Sequence, residues 1–116
     1  MPEKWEPLLN NLGHTMRKMK RYEQALEFHR QAMVLSPQNS TTYVAIGFVY
    51  SLMFKWHEAI ENFHKALGLK REDTFTNSMI NLAMDHLINS SHHSLIRHHL
   101  MGRLISSGGT SHMQLY

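Results

Sequence analysis

The chain has no cysteine among its 116 residues. That excludes disulfides, thiolate zinc sites and a cysteine nucleophile, and it fits a reducing compartment. Only six residues are glycine, and they form no glycine-rich phosphate loop. No nucleophile elbow or paired-carboxylate arrangement is present either, so neither an enzymatic activity nor a cofactor is expected. No apolar run approaches the roughly 18 residues that a membrane span needs. The opening Met1-Pro2-Glu3-Lys4-Trp5 does not have the form of a signal peptide. No membrane partner is therefore expected, and the acceptor-like triplets Asn39-Ser40-Thr41 and Asn89-Ser90-Ser91 carry no expectation of glycosylation. A strong charge of one sign is also missing, the formal net charge being +3. The single basic cluster, Arg17-Lys18 with Lys20-Arg21, reads as a solvated helix end, where cations suit the negative pole of the helix dipole. No aromatic residues interleave those charges, so no nucleic-acid partner is expected.

What the chain does have is a globular composition, 42% apolar and 18% charged, and an internal repeat. The stretch Ser40–Asp73 reads as two amphipathic helices joined by a turn at Phe54-Lys55-Trp56. Its pattern recurs 34 residues earlier, the period of a tetratricopeptide repeat. Leu9, Leu12, Gly13 and Met16 match Tyr43, Ile46, Gly47 and Tyr50. Ala25, His29 and Ala32 match Ala59, Phe63 and Ala66, and Tyr22 matches Trp56. These matches have a physical reading. A glycine inside a helix costs about 1 kcal/mol relative to alanine. One kept in each period marks a place where a Cβ would collide with a neighbouring helix. The alanines at matching places on the second helix of each pair let the paired helices approach closely, and Leu9, Leu12, Tyr43 and Phe63 fill the remaining space.

The expected architecture is all-α: tetratricopeptide helical hairpins stacked as a short right-handed solenoid. Residues 1–6 read as a lead-in, 7–39 as a first repeat, 40–73 as a second, 74–105 as a degenerate third pair and 106–116 as a flexible tail. Pro7 suits the first turn of a helix running to Lys20. Pro37 stops the second helix, and Asn39 or Ser40 caps the third. Asp73 or Thr74 caps a fifth helix over Thr74–Asn89, in which Asn77, Ile80, Asn81 and Met84 take the matching positions. Ile80 and Met84 suit those places, whereas Asn81 stands where the two earlier repeats have glycine, so a looser fit is expected. A sixth helix is expected near Ser91–Ile105.

The histidines invite a metal reading that their spacing does not support. His92-His93 and His98-His99 are five to seven residues apart, whereas two helical ligands of one ion need separations of three or four. No metal is expected. The methionines Met16, Met19, Met33, Met53, Met79 and Met84 read as core filling. In such an array the first helix of each pair lines the concave side. The repeat register places Asn10, His14 and Arg17, then Thr41, Val44, Phe48 and Ser51, then Ser78, Leu82 and Asp85 on that wall, which suits an extended or helical peptide. Repeat domains that grip a C-terminal carboxylate carry a Lys and an Asn on the first helix. Here Asn10 and His14 take those two places, and Ala45 stands for the Asn of the second repeat, so that mode of binding is not expected.

Beyond the generic repeat, several runs are more specific: Lys4–His14 (K-W-E-P-L-L-N-N-L-G-H), Tyr22–Ala32 (Y-x-x-A-L-x-x-H-R-Q-A), Val34–Asn39 (V-L-S-P-Q-N), Ser51–Met53 (S-L-M) and Phe63–Phe75 (F-H-K-A-L-G-L-K-R-E-D-T-F). Over about residues 4–80 they resemble the C-terminal repeats of a tetratricopeptide subunit family of the anaphase-promoting complex, the cell division cycle protein sixteen family. The resemblance implies a non-catalytic scaffold in a cell-cycle ubiquitin ligase of nucleus and cytoplasm. It implies partners that are other repeat subunits or a small helical subunit held in the groove. Beyond about Leu82 the His-rich tail departs from that pattern. The other expectations are a free-standing adaptor for an unrelated peptide, or a truncated or duplicated product that stays outside the ligase.

Overall fold

The computed structural model of the protein describes residues 2–89. It contains α1 (Pro2–Lys18), α2 (Tyr22–Leu35), α3 (Ser40–Leu52) and α4 (Trp56–Leu69), followed by α5 over residues 74–89. There is no strand among the described residues. α1 packs on α2, α3 on α4, and α2 on α3, so two helical hairpins stack in chain order. α5 adds to the end of the stack, its Met79 and Ile80 lying against Ala59 and Phe63 of α4. The expected sixth helix and the flexible tail lie outside the described residues.

The helices end where local chemistry tells them to. At the close of α1, Arg21 N–H donates to the Met16 carbonyl (2.8 Å) and Lys20 N–H to that of Arg17 (2.9 Å). At the close of α3, Lys55 N–H donates to the Tyr50 carbonyl (2.9 Å) and Phe54 N–H to that of Ser51 (3.0 Å). Both are Schellman motifs, whose left-handed residue is usually glycine. Here that residue is Lys20 (φ 62°) and Phe54 (φ 60°). A side chain held in this region costs on the order of 1 kcal/mol. Lys20→Gly and Phe54→Gly are therefore each expected to leave the fold intact and to raise stability by up to about 1 kcal/mol. Urea unfolding followed by circular dichroism would register the gain as a higher midpoint at unchanged slope; a lower midpoint would contradict it.

Asn39 caps α3, its side chain accepting from Thr41 N–H at 3.0 Å, and Asp73 caps α5 by accepting from Phe75 N–H at 3.2 Å. α1 departs from expectation at both ends. It begins at Pro2, so residues 2–6 are helical rather than a lead-in and Pro7 sits inside the helix, and it ends at Lys18 rather than Lys20. An interior proline lacks the N–H that would bond one turn back. The neighbouring Glu6 carboxylate accepts from the side chains of Asn10 and Asn39, which links this part of α1 to the residue that caps α3.

Two core clusters follow the repeat. The first joins Ala25 and Leu26 to Ile46 and Val49, flanked by Met16, Tyr22, Met33, Tyr50 and Met53. The second joins Ala59, Phe63 and Ile80, flanked by Val44, Tyr50, Leu67 and Met79. Tyr50 packs against both, and its hydroxyl accepts from Arg30 at 2.7 Å. The four repeat alanines, Ala25, Ala32, Ala59 and Ala66, are fully buried, while Leu9, Leu12 and Tyr43 are half-buried. A Cβ on Gly13 would lie 2.5 Å from the His29 ring, and one on Gly47 2.6 Å from the Phe63 ring. The two glycines thus occupy like environments, each beneath an aromatic ring from the second helix of its own hairpin.

Some methionine and α5 positions differ from expectation. Met19 and Met84 are exposed, at 52% and 43%, and are not core filling. On α5, Ile80 and Ala83 are buried but Asn77, Asn81 and Met84 face outward. In the first two hairpins the matching face is covered by the helix that follows, and the residues following α5 lie outside the described set.

Candidate functional site

The first helices of the stack, α1, α3 and α5, share one side of the protein. Between them lies a concavity of about 190 Å³, lined by His14, Arg17, Thr41, Val44, Ala45, Phe48 and Phe75. Five of the residues assigned to the groove from the repeat register, His14, Arg17, Thr41, Val44 and Phe48, therefore meet in one place. Most of the lining is carbon. His14 and Arg17 stand on the α1 side and Thr41 on α3, and the Arg17 guanidinium carbon lies 5.0 Å from the centre of the Phe48 ring in a cation–π arrangement. The ion pair among the described residues is Lys65–Glu61 (3.9 Å), so no described carboxylate engages Arg17. Burial lowers the His14 pKa, and the nearby charges of Arg17 and Lys18 lower it further, so the imidazole is neutral at pH 7.

Five residues assigned from the register do not line the concavity, and two of the five are buried. Asn10 does not line the groove; it is buried between hairpins. Its Nδ2 donates to Thr42 Oγ1 (2.9 Å) and Glu6 Oε1 (3.0 Å). Its Oδ1 accepts from His29 Nδ1–H (2.8 Å). Ser51 is likewise buried, its hydroxyl returning to the Gly47 carbonyl at 3.1 Å. Both polar side chains find partners inside the protein, which removes the need to face water. Ser78, Leu82 and Asp85 are exposed on α5 but do not line the concavity. Ala45 and Phe75 line it without having been assigned to it. The repeat does carry a signal for Phe75, which lies 34 residues after Thr41.

His29 is the buried end of the Asn10 network. The Glu6 carboxylate can only accept, which turns the Asn10 amide N toward it and leaves Oδ1 for His29; His29 must then carry its proton on Nδ1. Its Nε2 has no polar partner among the described residues and faces Gly13. Burial, with the charges of His14 and Arg17, pushes its pKa down to about 4. This imidazole stands at the place that Phe63 takes in the second repeat and is fully buried. Among the described residues no group of three or more His, Asp or Glu side chains could hold a metal, and no helix is long and apolar enough to cross a membrane. The paired histidines at 92–93 and 98–99 lie outside the described residues.

Stacked hairpins with a glycine under a ring, four buried alanines and a concave wall built by first helices define a helical-repeat scaffold. The chain belongs to the tetratricopeptide repeat family, whose profile matches residues 7–72. Over 89 residues it is 54% identical to the human "Cell division cycle protein 16 homolog", a match covering 77% of this chain and 14% of the human protein. The crystal structure of the APC/C hetero-tetramer Cut9–Hcn1 superposes with a TM-score of 0.68 at 28% identity, covering 69% of this chain and 15% of that one. The first TPR of Spaghetti (RPAP3), bound to the HSP90 peptide SRMEEVD, shares the fold alone: TM-score 0.71 at 20% identity, over 77% of this chain and 72% of that one. This chain thus spans about a seventh of the length of the human relative.

Proposed function

We propose that this chain is a non-catalytic protein–protein interaction scaffold that takes a peptide or helix in the concavity between α1, α3 and α5. Its partners on this reading are other repeat subunits or a small helical subunit of an anaphase-promoting complex, in the nucleus and cytoplasm. The observation that carries the proposal is the convergence of His14, Arg17, Thr41, Val44, Phe48 and Phe75 on one apolar concavity. The 54% identity to a cell division cycle protein 16 homolog supports the choice of assembly. Phe48 is the largest apolar group that α3 gives to this wall, and it is half-buried rather than part of either core cluster.

Co-expression of the full chain with individual human anaphase-promoting complex subunits, followed by affinity purification, tests the proposal. A stable pair is expected with at least one subunit. Phe48→Ala is expected to weaken that pair by roughly thirtyfold, the effect of losing a central aromatic anchor, with unchanged helical circular dichroism. An unaltered affinity would remove Phe48 and the concavity from the interface. Failure to pair with any subunit would remove the chain from this assembly.

A further inference from the structure

We infer that the concavity selects an acidic partner segment, with an aliphatic side chain seated on Val44, Ala45, Phe48 and Phe75 and a carboxylate, within about one helical turn of it, paired with Arg17. The inference rests on the groove reading above and adds the chemistry of the occupant. Three observations carry it. First, the size is that of an anchor residue: about 190 Å³ lies below the roughly 300–1,000 Å³ of pockets that enclose a small molecule. Second, the lining contains one permanent cation and no carboxylate. His14 beside it is neutral at pH 7, and Thr41 offers a hydroxyl. Third, the cation is both placed and free. The guanidinium lies 5.0 Å from the Phe48 ring centre, so part of the ordering of a long side chain is achieved before a ligand arrives. Among the described residues no acidic group occupies it.

These features discriminate between occupants. A wholly apolar segment would cover the Arg17 charge without a partner, which is unfavourable. A lysine-rich segment would meet like charge from Arg17, with Lys18 next in sequence. A carboxylate satisfies the guanidinium through charge-assisted hydrogen bonds while the adjoining aliphatic group removes apolar wall from water.

Selection of a random-peptide phage library on the full chain tests the inference. Peptides whose binding is lost in Phe48→Ala are expected to be enriched in Asp and Glu within four residues of a Leu, Ile or Met. Affinity for a selected peptide should fall roughly tenfold in Arg17→Gln and recover in part in Arg17→Lys. Selection repeated on Arg17→Glu should yield Lys and Arg in place of the acids. Arg17 is not a core residue, and circular dichroism would verify that each variant is folded. Phe48-dependent peptides without acidic bias, or indifferent to Arg17→Gln, would overturn the inference while leaving the groove reading standing. Recovery of no Phe48-dependent peptide would overturn both.

Discussion

Gly47→Leu is expected to destabilise the protein by roughly 3 kcal/mol, the upper range for overpacking a tight core. For a domain of this size that lowers the melting temperature by on the order of 10–20 °C. The cause is local and directional. A Cβ at this position would lie 2.6 Å from Phe63 Cε1 and 2.7 Å from Cδ1, distances at which something must move. The ring is fully buried beside Ala59 and Ile80, so it has no free side to turn toward. Gly47→Ala sets two effects against each other: removing a mid-helix glycine is worth about 1 kcal/mol, and the clash opposes it. At 2.6 Å from a buried ring the clash wins, and Leu adds further atoms in the same direction. Gly68→Ala is the matched control, since a Cβ there meets nothing within 4 Å and the propensity gain is unopposed. Trimming the ring tests the cause. In the cycle Gly47→Ala with Phe63→Leu, the double variant should be more stable than the sum of the singles predicts. A Gly47→Leu melting curve that overlaid the parent would refute the packing account.

The repeat was legible because packing constrains it twice over. Gly13 and Gly47 recur with the ring of His29 or Phe63 above them and with alanines on either side of that ring, and such small-large pairing requires a planar ring opposite a residue with no Cβ. Position within a hairpin was legible for the same reason. Inward polar groups were not. Helical periodicity treats Asn10 and Ser51 as outward-facing, yet each satisfies its hydrogen bonds within the fold, Asn10 across to the second hairpin through Thr42 and Ser51 to its own helix. Nothing in the spacing of Asn10 separates it from a groove asparagine; only the meeting of Glu6, His29, Asn39 and Thr42 around it does. The start of α1 was obscured by Pro7, which favours a first turn but here lies one turn inside. Phe75 was hidden by a change of chemistry, because its counterpart in the second repeat is the polar Thr41, although both line the same concavity.

Acidification is expected to weaken the fold through His29, and the size of the effect follows from where that ring sits. It is fully buried, donates from Nδ1 to Asn10 at 2.8 Å, and lies 5.0 Å from the His14 ring in an edge-on arrangement. Burial first, then the charges of His14 and Arg17, lowers its pKa from 6.5 to about 4. The unfolded chain therefore binds a proton near pH 6.5 that the folded chain refuses until about pH 4. Between those values the unfolded state holds more protons, so stability falls as pH falls. It is constant above the upper value, and the His29 contribution is fully lost below the lower one. A shift of that size corresponds to a loss on the order of 3 kcal/mol across the window. His14 titrates with the same sign, and carboxylates add their own dependence, so the diagnostic is a difference between proteins. The pair Asn10→Val with His29→Phe installs the Val44 and Phe63 of the second repeat at the matching places of the first. It removes the titrating ring together with the amide that would otherwise lose its partner. Urea midpoints measured from pH 7.5 down to about 4 should fall more steeply for the parent than for this variant. Equal slopes, or a His29 resonance titrating near 6.5 by NMR, would show that the buried imidazole does not govern the acid limit of the fold.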